Sequence, residues 1–297
     1  MIGADRITEA RRAASFALDN LSAAELAEVM NREDATVADA VAASLAQIAG
    51  VVDELVDCFD NSGRLIYVGA GSSGRVAELD ASECEATFSL PPGRVVALVA
   101  GAGAPTFAER EAAEDDAEAG RRAIDAAAVT RADAVVVVSA SGSTPYALGA
   151  ARAAARTGAF TACVVCCPRS ELAGVCEREI RVVVGPEVLA GSTRLKAGTA
   201  QKLVLNMLST ISMIRLGKTY AGLMVDVVPA NDKLRARVRR LVREATGASP
   251  DEVDSALTAA AGEPKVAITS LVLGVDVKAA RERLAAAQGN LRKALGQ

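Results

Sequence analysis

Hydroxyl side chains gather in three short segments of this sequence, and each segment is of a kind that can hold a phosphate. The first, Gly69-Ala70-Gly71-Ser72-Ser73-Gly74-Arg75, follows an apolar run and leads straight into helical spacing. Its glycines let the chain turn tightly, while Ser72, Ser73 and the free N–H groups around Gly74 can donate to a dianion. The second, Ser139-Ala140-Ser141-Gly142-Ser143-Thr144-Pro145, repeats the order of strand, hydroxyl-rich turn and helix, with Ser139, Ser141, Gly142 and Thr144 as candidate ligands. Pro145 suits a first helical turn, where its missing N–H costs nothing. The third, residues 191–199, sets Ser192, Thr193 and Lys196 at the start of a long helical pattern, where a cation can complete a phosphate or carboxylate site. Plainer readings stand beside each: a tight turn, a set of helix caps, a surface cap with solvated cations. Gly69, Gly71 and Gly74 also match the letters of a dinucleotide-binding loop, but the second strand ends in Ala100-Gly101-Ala102-Gly103 rather than in the acidic residue such a site uses.

Histidine is absent from the 297 residues. The commonest general base near neutral pH and the commonest metal ligand are therefore missing, and proton transfer falls to carboxylates, Lys, Tyr or Cys. Glu114 stands in an acidic stretch with Glu109, Glu111, Asp115, Asp116 and Glu118, which by itself reads as a solvated helical face. Glu83, by itself, reads as a surface carboxylate near a helix end. The cysteines, Cys58, Cys84, Cys163, Cys166, Cys167 and Cys176, have no paired framework spacing and follow no secretory signal, which points to reduced thiols in a cytosol. Cys163, Cys166 and Cys167 look like a metal-binding pair, but they lie in an apolar run that reads as a buried strand, and no second pair completes a zinc site.

The elements that must position these residues follow from periodicity. Up to Asp60 the chain is rich in Ala, Leu and Glu at helical spacing, broken near residues 21–22 and 31–35, which predicts two or three leading helices. β-Branched runs at 65–68, 95–99, 134–138, 159–165 and 180–184 then alternate with helical stretches. That alternation predicts an α/β fold with a doubly wound, parallel, five-stranded sheet. In such a sheet the loops at the carboxyl ends of the strands hold the ligand, and the first two hydroxyl segments are such loops. A long helix is expected over 194–216, and the segments 234–246, 250–261 and 277–287 suggest a compact three-helix module. The expected division is residues 1–230, a sheet domain with its leading helices, and residues 231–297, a helical module.

A formal charge of −4 without a long basic run gives no electrostatic footprint for nucleic acid or an anionic membrane surface. The apolar runs are too short or too interrupted to span a bilayer. A phosphorylated ligand would have to be held by local groups.

Taken together, the three loops resemble those of the sugar isomerase (SIS) domain family, in which loops of the form Ser-x-Ser-Gly-x-Thr grip the phosphate of phosphosugars. Here the pattern falls on Ser139, Ser141, Gly142 and Thr144, with Ser73 as the matching hydroxyl of the first loop. Within that family the chain is similar, over nearly its whole length, to the N-acetylmuramic acid 6-phosphate etherases. The resemblance is carried by residues 63–67, Leu79-Asp80-Ala81-Ser82-Glu83-Cys84, Ala113-Glu114-Asp115, the block 191–210 and Leu223-Met224-Val225-Asp226-Val227. It implies an SIS fold, a homodimer, a small C-terminal helical module, a phosphosugar substrate, no cofactor or metal, and catalytic glutamates at Glu83 and Glu114. The implied reaction is that of a carbon–oxygen lyase, giving N-acetylglucosamine 6-phosphate and D-lactate.

The chemistry suits a protein without histidine. Once the sugar opens to its aldehyde, the C2 proton is acidic; a base removes it, lactate leaves C3 with help from an acid, and water adds to the double bond. On the resemblance, Glu114 is the base and Glu83 the acid. The chain departs from the etherase pattern at Glu85-Ala86, where Pro-Pro is usual, at Ser143, where Arg is usual, and at Ala221-Gly222. Two readings compete: an aldose–ketose phosphate isomerase, which needs no lactate site, and a non-catalytic phosphosugar-binding regulator. Ser143 leans toward the regulator, and retention of both glutamates leans against it.

Overall fold

A computed structural model of the chain describes residue 10, residues 18–227 and residues 231–297; the part of the predicted leading helices that falls on residues 5–9 and 11–17 lies outside them. Among the described residues three α-helices lead in, α1 (Ala23–Asp34), α2 (Thr36–Ala42) and α3 (Leu45–Asp60). Ser22 starts α1 with a capping box, its hydroxyl accepting from the Glu25 N–H while the Glu25 carboxylate accepts from the Ser22 N–H at 2.8 Å. Five parallel strands follow: β1 (Leu65–Gly69), β2 (Val95–Val99), β3 (Ala134–Val138), β4 (Phe160–Val165) and β5 (Arg178–Arg181), in the spatial order β2-β1-β3-β4-β5.

Every residue of β1 and β3 is buried, as expected when helices cover both faces of a parallel sheet. On one face Ile66, Val68, Val135, Val137, Cys163 and Val165 pack against α6 (Ala117–Ala126) and α7 (Pro145–Thr157). Tyr67 points to the other face, where its hydroxyl donates to Asp80 Oδ2 at 2.9 Å in α4 (Gly71–Phe88). Asp80 Oδ1 accepts from Asn206 Nδ2 at 3.0 Å and Ser209 Oγ at 3.1 Å in α8 (Lys196–Arg215). One buried carboxylate thus ties β1, α4 and α8 together. Cys163, Cys166 and Cys167 are fully buried at the end of β4 and its continuation, which is strand packing.

The register decides where the site can be. Gly69, the last residue of β1, pairs with Val99 of β2 and with Val138 of β3. The loops after all three strands therefore leave the sheet at one level, beside the β1/β3 position at which the winding direction reverses. The opposite ends are held by Arg64 and Asp133: the Asp133 carboxylate accepts from the Arg64 backbone N–H at 2.9 Å and from its guanidinium at 3.0 and 2.8 Å.

β5 lies two to three residues earlier than its apolar run suggested. Parallel pairing to β4 sets it: Val165 pairs with Arg181, Val182 donates to the Val165 carbonyl, and the β4 strand ends there. α8 spans nearly the predicted range.

The chain divides into two compact units, one of the residues up to Ser82 with Gly93–Ser209, the other of Glu83–Pro92 with Thr210–Gln297. Among its described residues the second unit contains five helices beyond α8: α9 (Asp232–Thr246), α10 (Pro250–Ala259), α11 (Pro264–Leu273), α12 (Val277–Ala286) and α13 (Leu291–Ala294). Two of them, α11 and α13, were not anticipated. α11 is the buried centre of the module, with Val266, Ala267, Ile268 and Thr269 all inside, so it lacks the polar face that makes a helix legible. Among the described residues no single helix is long and apolar enough to cross a membrane.

Candidate active site

Two adjoining cavities open at the carboxyl ends of β1, β2 and β3. The first, of about 440 Å³, takes its walls from Gly71, Ser72 and Ser73 of the first hydroxyl segment, Ser141 and Thr144 of the second, and Gly191 and Thr193 of the third. The first two segments were expected together as strand-end loops; the fold brings the third to the same hollow.

The second segment is built to present donors. Gly142 turns the chain at φ 65°, and a Cβ there would lie 2.1 Å from Ser170 Cβ, so no other residue fits. Ser139 is 3% exposed; its hydroxyl accepts from the Gly142 N–H at 3.1 Å and shares a 2.9 Å hydrogen bond with Thr144 Oγ1. Ser139 therefore braces the loop from behind, while Ser141 and Thr144 face the cavity. Because Thr144 Oγ1 is turned to Ser139, α7 begins without a side-chain cap. Its first N–H groups remain available to an anion, the arrangement in which helix starts bind phosphate.

In the first segment Gly74 is buried, with a would-be Cβ only 2.6 Å from Val99 Cγ1 and 2.9 Å from the Gly69 carbonyl oxygen. It lets α4 settle on β1 and β2 and offers no group to the cavity. In the third, Ser192 and Lys196 are absent from the lining. Lys196 is buried, its ammonium 2.8 Å from Glu33 of α1, and its own N–H and that of Ala197 donate to Glu187 at 3.0 Å each. The start of α8 is thus closed by a buried carboxylate from within the protein. Nothing in the local spacing announced Glu33 or Glu187 as its partners.

Glu114 lies in a 3-10 turn (Ala113–Asp115) that follows α5 (Phe107–Ala112). The turn after β2 lets this segment fold back: a Cβ on Gly101 would come within 2.9 Å of Arg110 Cα. Glu114 then reaches the start of α4, where Gly71 adopts φ 50° and a Cβ would lie 2.5 Å from Glu114 Oε1. Burial raises the affinity of the Glu114 carboxyl for a proton, with Glu111 and Asp115 adding to the effect and Arg75 opposing it. A half-buried carboxylate biased upward is the form suited to a general base.

Glu114 also lines the second cavity, of about 410 Å³, with Gly71, Arg75, Glu78, the turn 99–104, Arg110 and Glu111. Arg75, Glu78, Arg110 and Glu111 were not singled out from the sequence; the signal for Arg75 and Glu111 was adjacency, one residue after Gly74 and three before Glu114. Exposed Phe107 stands at the mouth of the first cavity. Glu83 is an exposed residue of α4, lines neither cavity and falls in the second unit.

The model of the glucokinase regulatory protein N-terminal SIS domain matches residues 47–155. N-acetylmuramic acid 6-phosphate etherase of Rubrobacter xylanophilus is 55% identical over 98% of this chain and 96% of its own length. The protein of that name from Streptomyces coelicolor is 53% identical over 97% of this chain and 93% of its own. Among solved structures, a phosphoheptose isomerase from Francisella tularensis aligns with a TM-score of 0.53 at 18% identity, covering 65% of this chain and all of that one, a likeness of fold.

Proposed function

The chain belongs to the N-acetylmuramic acid 6-phosphate etherase family, and from that premise we propose how its cavity does the work. It is a lyase-type etherase: it cleaves the D-lactyl ether of N-acetylmuramic acid 6-phosphate by elimination and then hydration, yielding N-acetylglucosamine 6-phosphate and D-lactate. The observation that carries the site assignment is the meeting of Glu114 with the hydroxyl loops in a single hollow at the strand ends.

In this reading the 6-phosphate rests on Ser141, Thr144, Ser72, Ser73 and the uncapped start of α7. Thr193 closes the far side. With the sugar open, Glu114 takes the C2 proton, the C2–C3 double bond forms as the C3–O bond breaks, and the lactyl oxygen leaves with a proton. Water then adds its hydroxyl to C3 and returns a proton to C2. No electrons are exchanged with the protein, so the steps balance without a redox partner. The family resemblance assigns to Glu83 the proton that accompanies lactate, although Glu83 lines neither cavity.

The chain is further assigned to the cytoplasm as a homodimer. Six unpaired cysteines, five of them buried, support a reducing compartment. Sedimentation of the purified protein tests the dimer.

The test of the function is direct. N-acetylmuramic acid 6-phosphate incubated with the protein should release D-lactate, and Glu114→Gln should abolish the release while still binding the phosphosugar. Absence of lactate with the unaltered protein would remove the reading.

A further inference from the structure

Two cavities share Gly71, Arg75, Glu111 and Glu114, and they differ in chemistry. To these shared residues the first adds neutral donors, the hydroxyls of Ser72, Ser73, Ser141, Thr144 and Thr193. The second has two guanidinium groups, those of Arg75 and Arg110, over the glycine-rich turn that follows β2. We propose that Arg75, with Arg110 beside it, is the site that recognises the carboxylate of the lactyl group. This rests on the etherase reading and adds to it a second anion site, the one that distinguishes substrate from sugar phosphates that lack lactate.

The substrate carries two anions, a phosphate on C6 and a carboxylate on the ether substituent at C3, with the reacting C2–C3 bond between them. A base that serves C2 must therefore lie between two anion sites. Glu114 does, since it lines both cavities. The phosphate is matched by hydroxyls and a helix start, and the planar carboxylate by the fork of a guanidinium.

Charge makes the assignment specific. Glu78, Glu111 and Glu114 already face the second cavity, so a further carboxylate enters only against compensating cations. Arg75 donates no hydrogen bond to any described residue and is exposed, hence free to turn to a ligand. Arg110 donates to the Ala104 carbonyl at 3.3 Å, which fixes the side chain over the cavity and leaves its other N–H groups.

The experiment is calorimetric and needs no turnover. In a Glu114→Gln background, binding of three probes is compared with Arg75 present and with Arg75→Gln: N-acetylmuramic acid 6-phosphate, its lactyl amide, and N-acetylglucosamine 6-phosphate. With Arg75 the acid should bind about tenfold or more tighter than the amide, the span of one charge-assisted contact. With Arg75→Gln that ratio should fall close to one, and with Arg75→Lys it should lie between. Because Arg75 also borders the phosphate cavity, N-acetylglucosamine 6-phosphate and the amide should weaken together in the variants, and by less than the acid, while their retained binding reports that each protein is folded. A ratio that survives Arg75→Gln, equal binding of acid and amide when Arg75 is present, or an equal loss of all three probes would overturn the assignment. Failure of the etherase reading is read separately, from lactate release by the unaltered protein.

Discussion

Glu114 Oε1 occupies the space in which a side chain on Gly71 would begin, 2.5 Å from the position of a Cβ. The contact joins the segment after β2 to the start of α4, 43 residues apart, and sets the carboxylate at the junction of two cavities. Gly71→Ala should push the flexible end of Glu114 aside rather than unfold the chain. Forcing alanine to a positive φ costs about 1–2 kcal/mol. The expected outcome is a fall in kcat of tenfold or more with a small loss of thermal stability; unchanged kcat would show that the carboxylate need not sit there.

The neighbours of Glu114 pull its proton affinity in opposite directions, which gives a paired test. Burial, Glu111 and Asp115 raise it, and Arg75 lowers it. If Glu114 must be ionised to act, kcat/KM falls as pH drops through its pKa. Glu111→Gln should then shift the acid limb of the kcat/KM profile to lower pH, and Arg75→Gln should shift it to higher pH. Shifts of the same sign in both variants would exclude Glu114 as the group that titrates.

The phosphate loop separates contact from support. Ser141→Ala with Thr144→Ala removes two donors that face the cavity, and KM should rise at least tenfold for each lost charge-assisted bond. Ser139→Ala removes the brace behind them. It should lower stability by about 1 kcal/mol and raise KM less than the double variant does. A larger KM effect from Ser139 would place that hydroxyl on the ligand.

The two glutamates are distinguished by isotope exchange. Glu114→Gln should stop both lactate release and exchange of the C2 hydrogen with deuterated solvent. Glu83→Gln should block lactate release yet leave some exchange, provided the carbanion reverts faster than it expels lactate. General acid or base help is worth about 10² to 10⁴ in rate, so each loss is measurable. Near-wild-type lactate release from both variants would remove these roles and bring forward the regulator reading.

Away from the site, Asp133 predicts the acid stability of the sheet. Burial pushes its carboxyl up, but hydrogen bonds from the Arg64 side chain and from the Thr130 and Arg64 N–H groups prevail and hold it at about 2, below the usual 3.8. Because the folded value is the lower one, this stabilisation is complete above about pH 4 and is lost as pH falls from there toward 2. Asp133→Asn should cost on the order of 2–3 kcal/mol at neutral pH and should flatten the melting temperature between pH 4 and 2. An equally steep acid limb in the variant would assign the loss to other carboxylates.

Much of this protein is written locally. The apolar runs of β1 to β4, the glycine- and hydroxyl-rich turns after β1 and β3, and the long helix α8 depend on neighbours a few positions away, and the sequence by itself determined them. The family was legible too, because the quoted loops and the block 191–210 are read as strings of residues without the fold. What tertiary structure decided are the relationships that span tens of residues. Register placed Gly69, Val99 and Val138 at one level, and only then did the turn after β2 deliver Glu114 to Gly71 with Glu111, Arg75 and Arg110 around it. Lys196 looked like a free cation at a helix start, yet Glu33, 163 positions earlier, neutralises it inside the fold. Ser139 and Ser141 are alike in the sequence and differ in role, since one points under its loop and the other into the cavity. Periodicity reports which face of an element is apolar; it carries no information about which other element that face, or a charge beside it, will meet.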